Sequence, residues 1–199
     1  RVTRAALGEE HSDTAIRLNN LAGVLQATGR YEEAEPLYRE ALRVTRAALG
    51  AEHNETAIRL NNLAELLRAT GRYAEAEPLY REALRVTRAA LGAEHNSTAI
   101  RLNNLAVLLQ DTGRYAEAEP LYREALRVTR AALGAEHNST AIRLNNLAGL
   151  LQDTGRYEEA EPLFREALRV MEAALGAEHP NTQTVRRNLE RFLAERGGQ

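Results

Sequence analysis

The chain of 199 residues lacks both cysteine and lysine, and each of these absences excludes a kind of chemistry. There is no cysteine, so disulfides and thiolate catalysis are excluded and the redox state of the compartment is left open. All 26 basic residues are arginine. Without lysine the chain has no phosphate-binding loop of the Gly-Lys type and no residue for Schiff-base chemistry.

Charge of one sign and long hydrophobic runs are also missing. The net charge is −2, from 28 acidic and 26 basic residues, and no basic stripe points to nucleic acid or an anionic membrane surface. Apolar stretches are a few residues long, far short of a membrane span, and no signal-peptide pattern opens the chain. We therefore expect a cytoplasmic protein that binds neither nucleic acid nor membrane.

What the sequence does contain is a repeat. The string RLNNLA occurs at 17–22, 59–64, 101–106 and 143–148, always 42 residues apart. A fixed period of about 20–50 residues is typical of stacked solenoids, so we predict one domain over residues 1–199. Its predicted parts are the end of a truncated preceding repeat at 1–10, full repeats at 11–52, 53–94, 95–136 and 137–178, and a C-terminal capping helix at 179–199.

The first half of each repeat predicts a helix, here named helix A. Its start is expected near residues 11–14, where serine, aspartate and threonine are good caps, and its end before Gly29. One apolar stripe with i, i+3, i+4, i+7 spacing supports it in the first repeat, namely Leu18, Leu21, Ala22 and Leu25.

The second half predicts another helix, helix B, from about Glu32 to the glycine at position 50. That start would place Pro36 in the first turn, where a missing amide is tolerated. Glu35 and Arg39 have the i, i+4 spacing of a helical ion pair. The apolar residues of helix B are Tyr31, Ala34, Leu37, Tyr38, Ala41, Leu42 and Val44.

The segment GRYEEAEPLYREAL at 29–42 alternates small and aromatic residues and resembles the tetratricopeptide repeat. The 42-residue period, the LNNLA core and the LG-x-x-H junction are similar to kinesin light chain repeats. This resemblance implies an all-α, right-handed α-solenoid of tandem helix–turn–helix repeats. It also implies a non-catalytic interaction module without cofactors. Bacterial repeats of this type are joined to signalling NTPase or protease-like domains, which suggests a sensor or scaffold role.

The surface of helix A that faces away from the apolar stripe is the predicted binding groove. The second and third repeats differ at only four of 42 positions, and three of the four lie on this surface: Glu65/Val107, Arg68/Gln110 and Ala69/Asp111. Two explanations stay open. Either the copies diverged to recognise different parts of one ligand, or exposed positions drifted freely.

The asparagines of RLNNLA do not vary between copies. A carboxamide both donates and accepts, so a row of them could hold a peptide backbone, and the resemblance implies this role. Alternatively one asparagine of each pair ties adjacent helices together, which we expect for the second. The candidate groove residues are Asn19, Asn61, Asn103, Asn145, Ile16, Ile58, Ile100, Ile142, Glu65, Val107, Gln26, Arg68, Gln110 and Gln152.

The five histidines, one per repeat junction, do not predict a metal site. Successive repeats are on the order of 10 Å apart or more, whereas zinc needs donors at about 2.0–2.1 Å. We interpret them as junction or capping residues. The Asn-x-Thr triplets beside them match a glycosylation acceptor, but they coincide with helix starts and are interpreted as caps. No catalytic residue, metal or cofactor is predicted.

A structural function is the alternative. Nearly identical repeats, natural or consensus-designed, could form a spacer or self-assembling rod without a peptide ligand. Phe164 and Met171 depart from the other copies, which favours natural duplication. The uncapped N-terminal end has too few helical residues to be stable alone, which predicts fraying or self-association there.

Overall fold

The computed structural model describes residues 12–197, and this part of the chain is all-α. The predicted repeat end at 1–10 and the histidine at position 11 lie outside it. The helices are α1 Ser12–Ala27, α2 Tyr31–Leu49, α3 Asn54–Ala69, α4 Tyr73–Leu91, α5 Asn96–Asp111, α6 Tyr115–Leu133, α7 Asn138–Asp153, α8 Tyr157–Leu175 and α9 Pro180–Gly197. The predicted fold class, a tandem array of helix–turn–helix repeats, is confirmed.

The structure divides after Gly92 into two compact units. In the first unit α1 packs on α2 and α3 on α4, and α2 contacts α3. In the second unit α5 packs on α6 and α7 on α8, while α6 contacts α7 and α9 contacts α8. Each repeat is thus a helical hairpin that packs on the next one within its unit. The single 1–199 domain stays a prediction.

Histidine side chains cap the A helices. His53 precedes α3 with extended backbone angles, and its Nδ1 accepts a hydrogen bond from the Glu55 amide at 3.1 Å. His95 and His137 do the same for α5 and α7. The capping interpretation of the histidines is confirmed, because this bond satisfies an amide that lacks an intrahelical partner.

The predicted asparagine and threonine caps are wrong. Asn54 is the first residue of α3, inside the helix rather than at its cap. Thr56 is fully buried, and its hydroxyl donates to the carbonyl oxygen of Gly50 at 2.7 Å. The threonine therefore ties the start of helix A to the end of the preceding helix B, a contact that only the packed junction provides.

The turn between the two helices closes as predicted. α1 ends at Ala27, and Gly29 adopts φ +77°, which a side chain would strain. The Arg30 amide donates to the Leu25 carbonyl at 2.8 Å, and the Gly29 amide to that of Gln26 at 3.0 Å. These two bonds form a Schellman cap that satisfies the last carbonyls of the helix.

Helix B begins one residue earlier than expected. α2 starts at Tyr31, so Pro36 is its sixth residue and lies in the second turn, not the first. The helix accommodates this proline in every repeat. Arg39 and Glu35 form the predicted ion pair at 2.8 Å, which stabilises the turn that contains the proline.

Alanines permit the closest helix contacts in each hairpin. Ala22 and Ala34 are completely buried in the first repeat, whereas Tyr31 is 37% exposed and does not fill a core gap. Leu21 is 51% exposed although its equivalent Leu63 is buried to 2% exposure. Leu63 and Leu42 of the preceding helix B line the same pocket, whereas the residues preceding α1 lie outside the described part of the chain.

The last helix buries one face, as a capping helix should. Phe192 is fully buried, and its ring lies 5.3 Å from that of Phe164. Val185 is buried as well, whereas Leu193 is 39% exposed. None of the described helices is both long enough and apolar enough to span a bilayer.

Candidate binding face of the first helices

Apart from the asparagines, the candidate groove residues of the A helices are exposed or half-buried. We call this surface the helix-A face and define it by the positions of Ile16, Gly23 and Gln26 in each repeat. Ile16 is 43% exposed, and its equivalents Ile58, Ile100 and Ile142 are half-buried. The predicted isoleucines are therefore accessible on this surface.

The varied positions also reach the surface. Glu65 is exposed, while Val107 and its glycine equivalent at 149 are half-buried. Burial raises the pKa of Tyr38, and the negative charge of Glu65 raises it further, so the carboxylate lies near the tyrosine of the preceding repeat. Arg68 is half-buried. The helix-A face thus changes its charge and volume from repeat to repeat.

The asparagines behave differently, because they bond to one another across repeats. In the first unit Asn62 Nδ2 donates to Asn19 Oδ1 at 2.9 Å. In the second unit Asn146 donates to Asn103 at 2.9 Å and Asn188 to Asn145 at 3.1 Å. The second asparagine of one repeat therefore bonds to the first asparagine of the repeat before it, as expected for a tie between helices.

Burial corrects the expectation for the first asparagines. Asn61 and Asn103 are only 3% and 4% exposed, so they do not line an open groove. Asn19 and Asn145 are half-buried, and their carbonyl oxygens already accept a bond from the next repeat. A buried polar group is stabilised only when it is hydrogen-bonded, which explains why both members of the pair are used internally.

The predicted glutamines also have partners within the protein. Tyr38 donates from its hydroxyl to Gln26 Oε1 at 2.9 Å, and Tyr122 donates to Gln110 at 2.8 Å. Gln110 Nε2 in turn donates to Asp153 of the following repeat at 2.6 Å. Gln152 Nε2 similarly donates to the carboxylate of Glu195. These side chains connect helix B with the next helix A and position the floor of the helix-A face.

Buried arginines are the feature that sequence analysis missed. Arg59, Arg101 and Arg143 are 6–8% exposed although they carry charge. Arg59 is compensated by Glu55, whose carboxylate lies 3.0 Å from Nη2. Arg143 has Ser139 at the position of Glu55, and burial lowers its pKa to about 10. The fourth difference between copies, Glu55/Ser97, was the available signal, because it removes this carboxylate.

A separate surface pocket occurs among α2, α3 and α4. Its volume is about 520 Å³, and Leu42, Leu63 and Leu79 form its apolar lining. The arginines that line the pocket form ion pairs with glutamates, for example Arg39 with Glu35 at 2.8 Å. No residue of the helix-A face lines this pocket, and its charges are neutralised internally.

Ion pairs also join successive repeats on the side of the B helices. Arg156 Nη1 lies 2.7–2.8 Å from both carboxylate oxygens of Glu119, and Arg123 contacts the same carboxylate at 2.8 Å. Hydrogen bonding from Arg156 lowers the pKa of Glu119, with a further contribution from Arg123 against the opposing effect of burial. Among the described residues no group of three His, Asp or Glu side chains is arranged to hold a metal ion.

Family profiles match this helical array over nearly its full length. The profile of the tetratricopeptide repeat matches residues 1–47, 13–89, 59–131, 97–169 and 139–198. The chain belongs to the tetratricopeptide repeat (TPR) family. Proteins of this family are interaction or scaffold modules and are generally not enzymes. No curated protein matches this TPR chain.

Solved structures share the TPR fold of this chain. BtubC (BKLC) from P. vanneervenii has a TM-score of 0.80 at 24% identity, over 94% of this chain and 74% of that one. A Podosopora anserina protein described as a kinesin light chain with nearly identical TPR-like repeats has a TM-score of 0.78 at 25% identity. That match covers 95% of this chain and 90% of the other. The resemblance to kinesin light chain-like TPR repeats is confirmed.

Proposed function

We propose that the chain is a non-catalytic interaction module whose helix-A face binds a peptide or protein segment. The observation that carries this proposal is the contrast between constant and varied positions. The asparagines that join repeats are identical in all copies, whereas Glu65 and Val107 differ at equivalent, accessible positions. Repeat arrays bind through extended surfaces that run along the stack, and a constant internal frame with a varied surface fits that use.

The proposed contacts differ from those expected of an asparagine ladder. The isoleucines offer apolar contacts, and Glu65 supplies an exposed carboxylate on the same surface. The asparagines support this surface by fixing the spacing of the A helices, so they act on ligand binding indirectly. Peptides without strong negative charge fit best near Glu65, because like charges repel.

A display screen of random peptides against the protein tests this function. For a selected peptide, we expect Glu65→Ala to change the Kd at least several-fold, because the side chain lies on the helix-A face. Glu32→Ala is the matched control, since it removes a carboxylate that is also exposed but lies at the start of helix B. Failure to select any peptide, or equal effects of both variants on the Kd, would argue against binding at this face.

A spacer or self-assembling rod is the second candidate, and one observation favours it. α1 exposes three apolar side chains, with Ile16 at 43%, Leu21 at 51% and Val24 at 62%. Large exposed apolar side chains are typical of association surfaces when they lie close together. In this function the N-terminal end of one chain would contact another chain, and the helix-A face would carry no ligand.

A further inference from the structure

Among the described residues Arg143 is a buried cation that is paired with no carboxylate. The residue is 7% exposed, and its Nε atom has no hydrogen-bond acceptor. Within the described residues no carboxylate or carbonyl forms an ion pair or hydrogen bond with its guanidinium, and its electrostatic neighbour is Tyr122. Proteins rarely bury a charged group in this way, because desolvation is costly unless an opposite charge is near.

The second repeat shows what normally completes this arrangement. Arg59 occupies the same position as Arg143, and its Nη2 bonds to Glu55 Oε2 at 3.0 Å. The Glu55 side chain is 40% exposed, so the carboxylate bonded to the buried guanidinium stands at the solvent boundary. A ligand carboxylate could reach an equivalent position from outside.

In the fourth repeat none of the described residues places a carboxylate at the position that Glu55 takes beside Arg59. Ser139 replaces the glutamate and is too short to supply a carboxylate, and its hydroxyl is directed to Asn138 Oδ1 at 3.5 Å. Both residues lie in the first turn of α7, where the helix dipole favours negative charge. The guanidinium and the helix end therefore favour the same kind of ligand.

We propose that Arg143 and Ser139 form a binding site for a carboxylate supplied by a partner molecule. The carboxylate takes the place that Glu55 fills beside Arg59 and accepts a charge-assisted hydrogen bond from the guanidinium. In a bound peptide it is an aspartate or glutamate side chain or the C-terminus. This assignment deepens the proposed peptide-binding function and rests on it for the identity of the ligand.

Acetate is the probe that tests the site independently of any peptide. Arginine Nε–Hε signals are followed by NMR in the whole chain, with the Arg143 signal identified by its loss in Arg143→Met. We expect a saturable shift of this signal with sodium acetate and none with acetamide. The Arg59 signal should stay unchanged, because Glu55 already occupies its site.

Two exchanged variants provide the decisive comparison. Ser139→Glu should weaken acetate binding at Arg143 roughly tenfold or more, since one charge-assisted bond is worth about that factor. Glu55→Ser should create an acetate response at Arg59. A linear response, persistence in Ser139→Glu, or no gain in Glu55→Ser would overturn the site. Tighter binding of inorganic phosphate than of acetate would overturn the carboxylate assignment.

Two further probes distinguish the sources of the carboxylate. N-acetylglycine presents a C-terminal carboxylate, and N-acetylglutamate methylamide presents only the side-chain one. Binding of either supports the site, and the tighter probe identifies the source. A failed peptide screen with an intact acetate response would reject the proposed function alone, whereas selected peptides without an acetate response would reject this site alone.

Discussion

At the scale of single residues, a polar side chain takes the role that its burial permits. Asn103 and Ile100 lie on the same helix, yet the asparagine is 4% exposed and bonded to Asn146, whereas the isoleucine reaches the surface. A free carboxamide could serve a ligand equally well. The hydrogen bond to the next repeat therefore decides that the asparagine is structural.

The hydrogen bond between asparagines of successive repeats should make a measurable contribution to the free energy of unfolding. Asn146→Ala removes the donor and leaves the buried Oδ1 of Asn103 without this partner, which should lower the free energy of unfolding by about 1–3 kcal/mol. Asn20→Ala is the control, because Asn20 has the same repeat position but is exposed. Urea unfolding followed by circular dichroism measures both. Equal stability of the two variants would contradict the internal role.

Arg143 makes a second prediction at this scale. Burial lowers its folded pKa to about 10, below that of a solvent-exposed arginine, so the buried charge destabilises the fold below pH 10, and this penalty fades as the pH rises above it. Ser139→Glu supplies the missing carboxylate and should raise the unfolding free energy at pH 7 by about 1 kcal/mol or more.

The matched control for that variant is Asn181→Glu. It places the same acid at the corresponding position of α9, where Val185 stands in place of the arginine. Any effect of the helix dipole is common to both variants, so the difference between them isolates the ion pair. If both variants change the urea midpoint equally, Arg143 gains nothing from a carboxylate.

At the scale of helices, ends are set by local rules and packing by contacts between repeats. The glycine at 29 and the histidine at 53 lie where the turn and cap require them, so helix limits were predicted within a residue or two. The ion pairs between successive B helices cannot be read from local spacing, because Glu119 and Arg156 are 37 positions apart. Such pairs resist sliding of one repeat on the next.

The ion pair of Glu119 should depend on pH. Its pKa is lowered from 4.5 in the folded state, so its contribution is present above about pH 4.5 and is lost as the pH falls through the folded pKa. Glu119→Gln should lower the unfolding free energy at pH 7 by about 0.5–1 kcal/mol and have little effect near pH 3.

Glu158→Gln serves as the control. Glu158 is exposed at the start of α8 and is the neighbour of Glu159, which pairs with Arg156. Urea denaturation at several pH values from 3 to 7 gives the comparison. A loss from Glu119→Gln that does not change with pH would show that the charge of Glu119 does not stabilise the repeat junction.

At the scale of the whole molecule, the first and last described helices differ in how much apolar surface they expose. Phe192 and Val185 bury the apolar face of the last described helix, whose other side carries Arg187 and Glu190. The first described helix has the opposite character, since Leu21 and its apolar neighbours are exposed. An end that exposes apolar area gains free energy when it is covered.

Self-association through this end is therefore a testable outcome. The sedimentation coefficient of the wild type should rise with concentration in the micromolar range, and Val24→Glu should shift the protein toward monomer by placing a charge on the contact surface. Ala132→Glu, an added charge on an exposed position of α6, should leave the association unchanged. A wild type that stays monomeric at all concentrations would contradict it.

The sequence by itself determined the repeat period, the two helices of each repeat and their ends, because caps, turns and apolar spacing act over a few residues. Only the tertiary structure decided that Asn61 and Asn103 are buried, that the charged Arg143 is buried as well, and that Leu21 is exposed while Leu63 is not. The physical reason is that burial and pairing depend on how one hairpin packs on the next. A period gives the order of the hairpins but not the distances between their side chains.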